Sequence, residues 1–589
     1  MFRTKFYVVA LAALTLGMPG CSKDPEVRKR DFVKSGDNYV AQKKLGEAII
    51  EYRNAVGVDP RFGEARLKLA EAYMATGDVQ NAYREYVRAA DLMPGSIDAQ
   101  LKTGTLLLLS QQYEDAKGRA EKALAIDPKN VNAQILKGNA LAGLKDIDGA
   151  IAQVESAIKS DPSQGIPYSS LGALQLAKGN TDLAEKAFKQ AVASDPKSVP
   201  AFLGLANFYW STRRNAEAEA ALNSALALEP RHVLANRALA TFYLFSGRVA
   251  EAEQPLKTIA EVMPTAAGKL ALADYYLNTK KPAPAKALLE QASTMRDGFA
   301  PARLKLAAIA VRDGKRPEAY RLLDEVLTKE PKHVEALAAK AELQIGDGKL
   351  DEALIGINTG LSANPNSAPL HLLRGRALAG RNETSDAMAA YREALRHNPQ
   401  LLAADIELGR LYLAAGKPSD AIQYAEGALK LAPAFADAQL LLARAYIANR
   451  DARSAEEVLK RLNAAYPAAP VVQTEMGRLY LAKGDKVNGR AAFQRALDKD
   501  PAQLTALEGL LVLDLTDKPT DARARIEGAL AKTPRNDGLY LLAGRTYIAL
   551  KDSAAAERAL KQALEINPNN LQAYSVLGRY YAIQARIPE

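Results

Sequence analysis

Apolar residues recur along this chain in short stripes that have the spacing of α-helices. One complete unit of the pattern lies between residues 64 and 94, where apolar side chains return three or four positions apart in two successive stretches. That spacing places them on one face of a helix. The first stretch contains Leu67, Leu69, Ala70 and Tyr73, and the second contains Ala82, Tyr86 and Ala89. The pattern therefore predicts a pair of amphipathic helices.

Residues that interrupt helices mark the ends of both stretches. Gly77 lies between them, and glycine readily adopts the left-handed backbone found at helix ends. Pro94 follows the second stretch, and proline stops a helix because it lacks an amide hydrogen and crowds the preceding turn. Ala82 and Ala89 are small enough for two helix backbones to approach closely. The stretch is thus predicted to be a helix-turn-helix unit.

This unit returns every 34 residues. The prolines that end the second helices show the period, and alanines at the close-approach position follow it. The prolines are Pro60, Pro94, Pro128, Pro162, Pro196, Pro230, Pro264, Pro331, Pro365, Pro399, Pro433, Pro467, Pro501, Pro534 and Pro568; the first alanines are Ala48, Ala82, Ala116, Ala150, Ala184, Ala218 and Ala252. The register slips by one residue near Pro264 and again between residues 504 and 534, and the unit around Asp297 lacks its proline.

The unit resembles the tetratricopeptide repeat, whose pattern is W-x2-L-G-x2-Y, then A-x3-F, then P over 34 residues. The last units carry the resemblance most fully: Tyr540, Gly544, Tyr547, Ala556, Leu560, Ala563 and Pro568 fill one of them, and Tyr574, Leu577, Gly578 and Tyr581 begin the next. The resemblance implies an all-α fold, a right-handed superhelical solenoid of about sixteen repeats over residues 29–570. Neighbouring repeats would bury each other's apolar faces. Residues 571–589 would form a solitary solvating helix that caps the array.

The N-terminus has the features of a secretory leader. Arg3 and Lys5 form a short basic region, and an apolar stretch follows over residues 6–16. That stretch is too short to span a bilayer and has the length of a signal-peptide core. We therefore predict a signal peptide over residues 1–20.

The leader ends at Cys21, which is the only cysteine of the chain. The segment before it resembles the lipobox of bacterial lipoproteins, in which a small residue, here Gly20, precedes a cysteine that receives the lipid. The resemblance implies lipidation at Cys21, a short tether over residues 21–28, and, with Ser22 after the cysteine, attachment to the outer membrane of a Gram-negative cell, facing the periplasm. A plain secretory leader with an incidental cysteine is the alternative.

Composition excludes several classes of protein. With 48% hydrophobic and 25% charged residues, the chain is neither disordered nor embedded in a membrane. The formal net charge of +10 becomes +8 once Arg3 and Lys5 are removed with the leader (10 − 2 = 8). No dense basic run with interleaved aromatic residues is present, so a nucleic-acid partner is not expected.

Residues with catalytic potential are scarce. His232 and His333 fall in turns between units, and His371 and His397 lie in different parts of one unit, none at a metal-ligand spacing. No phosphate-binding glycine loop is found, and Trp210 is interpreted as a core residue. Repeated glycines are interpreted as turn residues; they are Gly179, Gly247, Gly314, Gly348, Gly416 and Gly484. We therefore expect no catalytic residues, no cofactor and no metal.

One feature exceeds what the fold requires. In the tetratricopeptide family, the ninth position of each first helix faces the inner groove. In the later units this position carries Arg376, Arg410, Arg444, Arg478, Arg545 and Arg579, with Val512 between them; in the earlier units it carries Asp37, Glu71, Thr105, Asn139, Ala173, Asn207, Thr241 and Asp274. Arginine suits carboxylate and phosphate groups. The later half is therefore a candidate site for an acidic peptide or an acidic polysaccharide; the alternative is that these arginines pair with acids on adjacent helices.

A lipoprotein leader followed by a long array of such repeats resembles the lipoproteins of the PEP-CTERM/exosortase system. That resemblance implies a non-catalytic scaffold that binds other proteins through its groove and supports export or sorting of exopolysaccharide and surface proteins. A pilotin-like assembly factor is one alternative, and a polysaccharide-modifying enzyme is another. Ile135 and Leu203, where the carboxylate-clamp modules of chaperone adaptors carry lysine, argue against that partner class.

Overall fold

A computed structural model describes residues 24–586 of the chain. Cys21 and the predicted signal peptide lie outside the described residues. Within the described range every regular element is a helix, and no helix there is both long enough and apolar enough to span a membrane. The all-α fold predicted from the sequence is confirmed.

The chain divides after Gly298 into two compact units. The first unit contains α1 Pro25–Ala41, α2 Leu45–Val58, α3 Gly63–Ala75, α4 Val79–Leu92, α5 Ile97–Leu109, α6 Tyr113–Ile126, α7 Val131–Gly143, α8 Ile147–Ser160, α9 Gly165–Ala177, α10 Thr181–Ser194, α11 Val199–Ser211, α12 Asn215–Leu228, α13 Val233–Phe245, the 3-10 turn Val249–Ala252, α14 Glu253–Val262, α15 Ala267–Asn278 and α16 Pro282–Ser293.

The second unit begins at Phe299. It contains α17 Phe299–Arg312, α18 Arg316–Lys329, α19 Val334–Gly346, α20 Leu350–Ala363, α21 Ala368–Gly380, α22 Thr384–His397, α23 Leu402–Ala414, α24 Pro418–Leu431, α25 Ala436–Ala448, α26 Ala452–Ala465, α27 Pro470–Ala482, α28 Lys486–Lys499, α29 Leu504–Asp517, α30 Pro519–Lys532, α31 Asp537–Ala549, α32 Ser553–Ile566 and α33 Leu571–Ile583. In both units each odd-numbered helix packs on the even-numbered helix that follows it. The described residues thus form sixteen helix pairs and one solitary helix, as the sequence predicts.

The first pair begins earlier than the sequence analysis placed it. Helix α1 starts at Pro25, so residues 25–28, which were predicted as part of the tether, are helical. The Asp24 side chain accepts a hydrogen bond from the Glu26 amide at 3.0 Å and caps the helix. Pro25 suits the first helical position because an amide hydrogen there would have no partner in the helix.

Each pair is closed by an aromatic or aliphatic side chain of the second helix that packs on a small residue of the first. A β-carbon added at Gly477 would lie 2.6 Å from the Phe493 ring, and one at Gly375 would lie 2.4 Å from the Tyr391 ring. Phe493 and Tyr391 are fully buried as a result. The glycine of the repeat pattern is therefore a packing requirement, since any side chain there would separate the two helices.

The two register slips have separate structural causes. Helix α15 is one residue shorter than most first helices, which accounts for the slip near Pro264. Between α29 and α30 the usual turn, with one residue at positive φ, is replaced by the single residue Lys518, whose φ is −150°. Pro519 follows it, and the residue before a proline is restricted to extended backbone. Both slips change the length of a unit and leave the helix pairing intact.

Candidate binding groove

The six arginines predicted as a ladder all lie on first helices of the second unit or on α33. Their side chains remain accessible. The exposed fraction is 35% for Arg376, 37% for Arg444, 43% for Arg478, 45% for Arg545 and 48% for Arg410. Arg579 is exposed on α33. These residues can therefore be reached by a ligand.

Acidic residues of the first helices lie between the first two arginines. Arg376 contacts Glu342 at 3.8 Å and Glu407 at 4.0 Å. Glu407 also lies 3.6 Å from Arg410, which contacts Asp437 at 3.5 Å. Because Glu407 contacts both arginines, the two guanidinium groups belong to one continuous row. The contacts are longer than ordinary charged hydrogen bonds, so the pairing is loose.

The middle of the row is held more tightly. Arg444 donates a hydrogen bond to Glu475 at 2.7 Å, and Arg478 lies 3.4 Å from the same carboxylate. The Glu475 side chain is only 1% exposed, so the two guanidinium groups provide its charge compensation in a buried place. Arg545 is paired loosely, at 4.0 Å from Glu508.

The sequence analysis identified the arginines but missed their acidic neighbours. Five carboxylates alternate with them on the first helices: Glu342, Glu407, Asp437, Glu475 and Glu508. These acids come from different positions within the repeat, so a search at one position does not find them. The surface carries both signs of charge, and an anionic ligand would compete with these carboxylates.

The acids predicted at the start of the array are also paired. Asp37 accepts hydrogen bonds from the Tyr52 hydroxyl at 2.7 Å and from the Lys68 ammonium at 2.8 Å. Burial and the bond to Asp37 raise the pKa of Tyr52 well above its usual value. Glu71 pairs with Lys102 of the following pair. The acidic side chains here link successive first helices in the same way as those of the second unit.

Two adjoining cavities lie on the first helices of the first unit. They have volumes of about 550 Å³ and about 780 Å³, and Asn139 lines both. Ninth-position residues are present in each, so the expectation that this position lines a groove agrees with the geometry here. The smaller cavity is lined by Leu101, Thr105, Leu109, Ile135, Asn139 and Ile166 among others, and the larger by Asn139, Ala173, Leu176, Phe188, Asn207 and Phe208 among others. We call these two cavities the N-terminal groove.

Trp210 is partly buried rather than a full core residue. Its ring meets the edges or faces of Phe242 and Phe245, with centroid distances of 5.8 Å and 6.1 Å. Phe245 is 81% exposed. The three rings form an aromatic patch at the edge of the core of the first unit.

The histidines fall into two classes. His232 and His333 cap helices: each accepts a hydrogen bond through Nδ1 from a backbone amide three residues on, at 3.2 Å and 3.3 Å. His371 and His397 meet each other instead, together with Glu393. The expectation that no histidine has a neighbour at metal-ligand spacing is therefore wrong for this pair. The packing of α21 on α22 brings together residues that are far apart along the chain, whereas Glu393 and His397, one helical turn apart, were the signal the sequence analysis missed.

Comparison with known proteins gives the following matches. A model of the tetratricopeptide repeat matches residues 107–174, 175–226, 213–275, 310–377, 412–479 and 516–580, and a second model of the same repeat matches residues 33–97. No curated protein matches the chain in sequence.

Several solved structures are similar in fold. The crystal structure of the APC/C hetero-tetramer Cut9-Hcn1 contains a chain that is 16% identical; the match covers 94% of this chain and 98% of that chain, with a TM-score of 0.41. Yeast Tom70 is 16% identical, with 78% and 97% covered and a TM-score of 0.35. A tetratricopeptide repeat protein from Parabacteroides merdae is 20% identical, with 48% and 98% covered and a TM-score of 0.35.

Proposed function

The chain belongs to the tetratricopeptide repeat family, and from this premise we propose that it is a non-catalytic scaffold that binds an extended segment of another protein along its first helices. Proteins built of these repeats act as protein-interaction scaffolds. Stacked repeats create long surfaces that suit extended ligands.

The N-terminal groove is the observation that supports this proposal best. Its two cavities adjoin, are mostly apolar, and share the amide of Asn139, with a second amide, Asn207, in the larger cavity. Apolar cavities with a few placed polar groups are typical of binding sites. Two apolar side chains of a peptide would fill the cavities, while the asparagine amides would bond its backbone.

A peptide selection tests the proposal. A library of random peptides is panned against the full chain, and the affinities of the selected peptides are measured by calorimetry. We expect a tenfold loss of affinity in the double variant Asn139→Ala, Asn207→Ala, which corresponds to about 1.4 kcal/mol. Lys186→Ala, on the exposed face of α10, is the control and should bind like the parent. Peptides that bind the double variant as tightly as the parent would contradict the groove.

The arginine row supports a second ligand class, an acidic peptide or an acidic polysaccharide. Arg376, Arg410 and Arg545 are paired with carboxylates only at 3.5 Å or more, so a ligand anion can replace those contacts at little cost. Arg444 differs, because removing it would leave the buried Glu475 with a single, more distant partner. We therefore assign ligand contact to the loosely paired arginines, and to Arg579.

The cellular setting belongs to the same proposal. The leader supports lipidation at Cys21 and attachment to the outer membrane, facing the periplasm, and the long array after it supports a role in export or sorting of exopolysaccharide and surface proteins. A pilotin-like assembly factor for a pilus or secretin is the alternative role.

Mass spectrometry of the N-terminal peptide tests the anchor. The expected peptide begins at Cys21 and carries acyl chains, and Cys21→Ser should release the protein from the membrane fraction. An unmodified Cys21 in the membrane fraction would contradict the lipid anchor and leave the binding proposal in place.

A further inference from the structure

Three side chains of one helix pair in the second unit converge outside the arginine row. His371 lies on α21, and Glu393 and His397 lie on α22. One ring nitrogen of each histidine and one carboxylate oxygen of Glu393 all lie within 4.8 Å of one another. Imidazole nitrogens and a carboxylate oxygen are a ligand set used by Zn²⁺ in proteins.

The hydrogen bonds of His371 define its tautomer. Its Nε2 lies 2.9 Å from the carbonyl oxygen of Pro365. A carbonyl oxygen only accepts, so Nε2 carries the proton and donates it, which leaves a lone pair on Nδ1. His371 is only 9% exposed, and Nδ1 is buried without a hydrogen-bond partner among the described residues. A buried polar atom without a partner lowers stability, and a metal ion bound to it would remove that loss.

The bond to Pro365 is also the support that a metal ligand needs. A ligating histidine almost always donates its other ring N–H to a carboxylate, a backbone carbonyl or water, which fixes the orientation of its ring. The Pro365 carbonyl already does this for His371.

The lone pair of His397 is identified by its neighbour. The guanidinium group of Arg396 lies 3.0 Å from His397 Nε2 and donates hydrogen bonds to the Glu393 carboxylate at 2.6 Å and 2.9 Å. Because a guanidinium group has donors only, Nε2 accepts. A positive group therefore already bridges Glu393 and His397, whose closest atoms are 3.8 Å apart. The Arg396 side chain is 65% exposed, so it can move into solvent.

We propose that His371 Nδ1, His397 Nε2 and a Glu393 carboxylate oxygen bind a divalent transition-metal ion, Zn²⁺ first among them, in place of the Arg396 guanidinium group. Water would complete the coordination.

Geometry and access suit such an ion after a small change. The two imidazole rings are stacked, with centroids 5.5 Å apart and planes 18° apart, so one ring must turn for both nitrogens to face a single ion. Rotation about that bond meets a broad energy minimum. A cavity of about 290 Å³ lined by His371, Asp386 and Glu393 gives a route from solvent. Arg374 and Arg392 line it too and oppose the charge of the ion, which moderates its affinity.

Calorimetric titration with zinc chloride alone tests the proposal on the full chain, carried without a polyhistidine tag and stripped with a chelator. We expect one equivalent of Zn²⁺ to bind to the parent. Glu393→Gln and His397→Gln should weaken binding at least tenfold, while His232→Gln and His333→Gln, which remove histidines that cap helices elsewhere, should leave it unchanged. Helicity measured by circular dichroism confirms that each variant is folded.

Arg396→Ala gives the sharpest outcome. Removal of the competing guanidinium group should tighten Zn²⁺ binding several-fold, whereas a purely structural histidine pair predicts no gain. With Co²⁺ as the probe, the visible spectrum should show nitrogen ligands in the parent and lose them in His397→Gln. The proposal is overturned if the parent binds no Zn²⁺, if His397→Gln binds like the parent, or if the two cap variants weaken binding as much as the site variants.

Discussion

Among single residues, Asp405 on α23 has the most unusual environment. Its side chain is buried, and among residues 24–586 it has neither a hydrogen bond nor an ion pair. Burial raises the pKa of Asp405 to about 6, because removal of water disfavours the charged carboxylate. The unfolded chain would titrate this group near pH 4. Between these two values the folded chain binds more protons than the unfolded chain, so this contribution to stability falls as pH rises.

We therefore predict that Asp405→Asn stabilises the protein at neutral pH and not in acid. The unfavourable contribution is absent below about pH 4 and fully present above about pH 6, and its removal should raise the free energy of unfolding by about 1 kcal/mol near pH 7.5, after allowance for residual solvent. Thermal unfolding of the variant and the parent near pH 4 and near pH 7.5 measures the difference. An equal shift at both pH values would show that the charge of Asp405 has no part in it.

Residues that repeat at a fixed position could be predicted from the sequence, and residues that do not repeat could not. Arg376 and Arg410 are 34 residues apart, so the period alone assigns them to one surface. Glu407 and Asp437, which contact Arg410, occupy different positions of the repeat and are recognised only when the helices are packed. The site at His371 follows the same rule, because it depends on one helix pair and not on the period.

At the scale of helices, the pairing of α9 with α10 shows why alanine is required. Ala184 on α10 is completely buried where the two backbones approach. The period predicted this role, since Ala184 lies at the close-approach position of its unit. The lone residue Lys518 between α29 and α30 could not be predicted in the same way: the sequence shows that one residue is missing there, and only the backbone shows that the turn has lost it.

We predict that Ala184→Leu loosens this pair and its neighbours. A larger side chain must displace a packed backbone, at a cost of about 1–3 kcal/mol. Because repeats are stabilised mainly by their nearest neighbours, faster hydrogen exchange should be confined to adjoining pairs. Lys186→Leu, which adds a leucine at an exposed position of the same helix, is the control. Uniformly faster exchange along all described helices would contradict a nearest-neighbour array.

On the scale of the whole molecule, the arginine row predicts a salt-dependent interaction. Replacing Arg376, Arg410 and Arg545 by glutamine should weaken binding of poly-glutamate or an acidic polysaccharide about tenfold and leave helicity unchanged. The remaining binding should fall as salt rises, because charges at exposed sites are screened over about 8 Å at physiological ionic strength. Calorimetric titrations with charged and neutral polymers at two salt concentrations measure both effects.

A matched variant separates the row from net charge. Arg321, Arg453 and Arg558 lie on second helices of the same unit and are exposed, so their replacement by glutamine removes the same charge from a different face. This variant should bind the anionic polymers like the parent. Equal losses in both triple variants would assign the effect to overall charge and return the ladder to ordinary surface charge.

The contact of Glu407 with both Arg376 and Arg410 also bears on how the units are ordered. The apolar interfaces repeat with the same small residues, so by themselves they would accept many permutations of the helix pairs. The charged contacts do not repeat, since each arginine meets an acid from a different position of its neighbour. Exchanging two units would therefore keep the core and mismatch the charges. In this chain the core specifies that a unit has a neighbour, and the ion pairs specify which one.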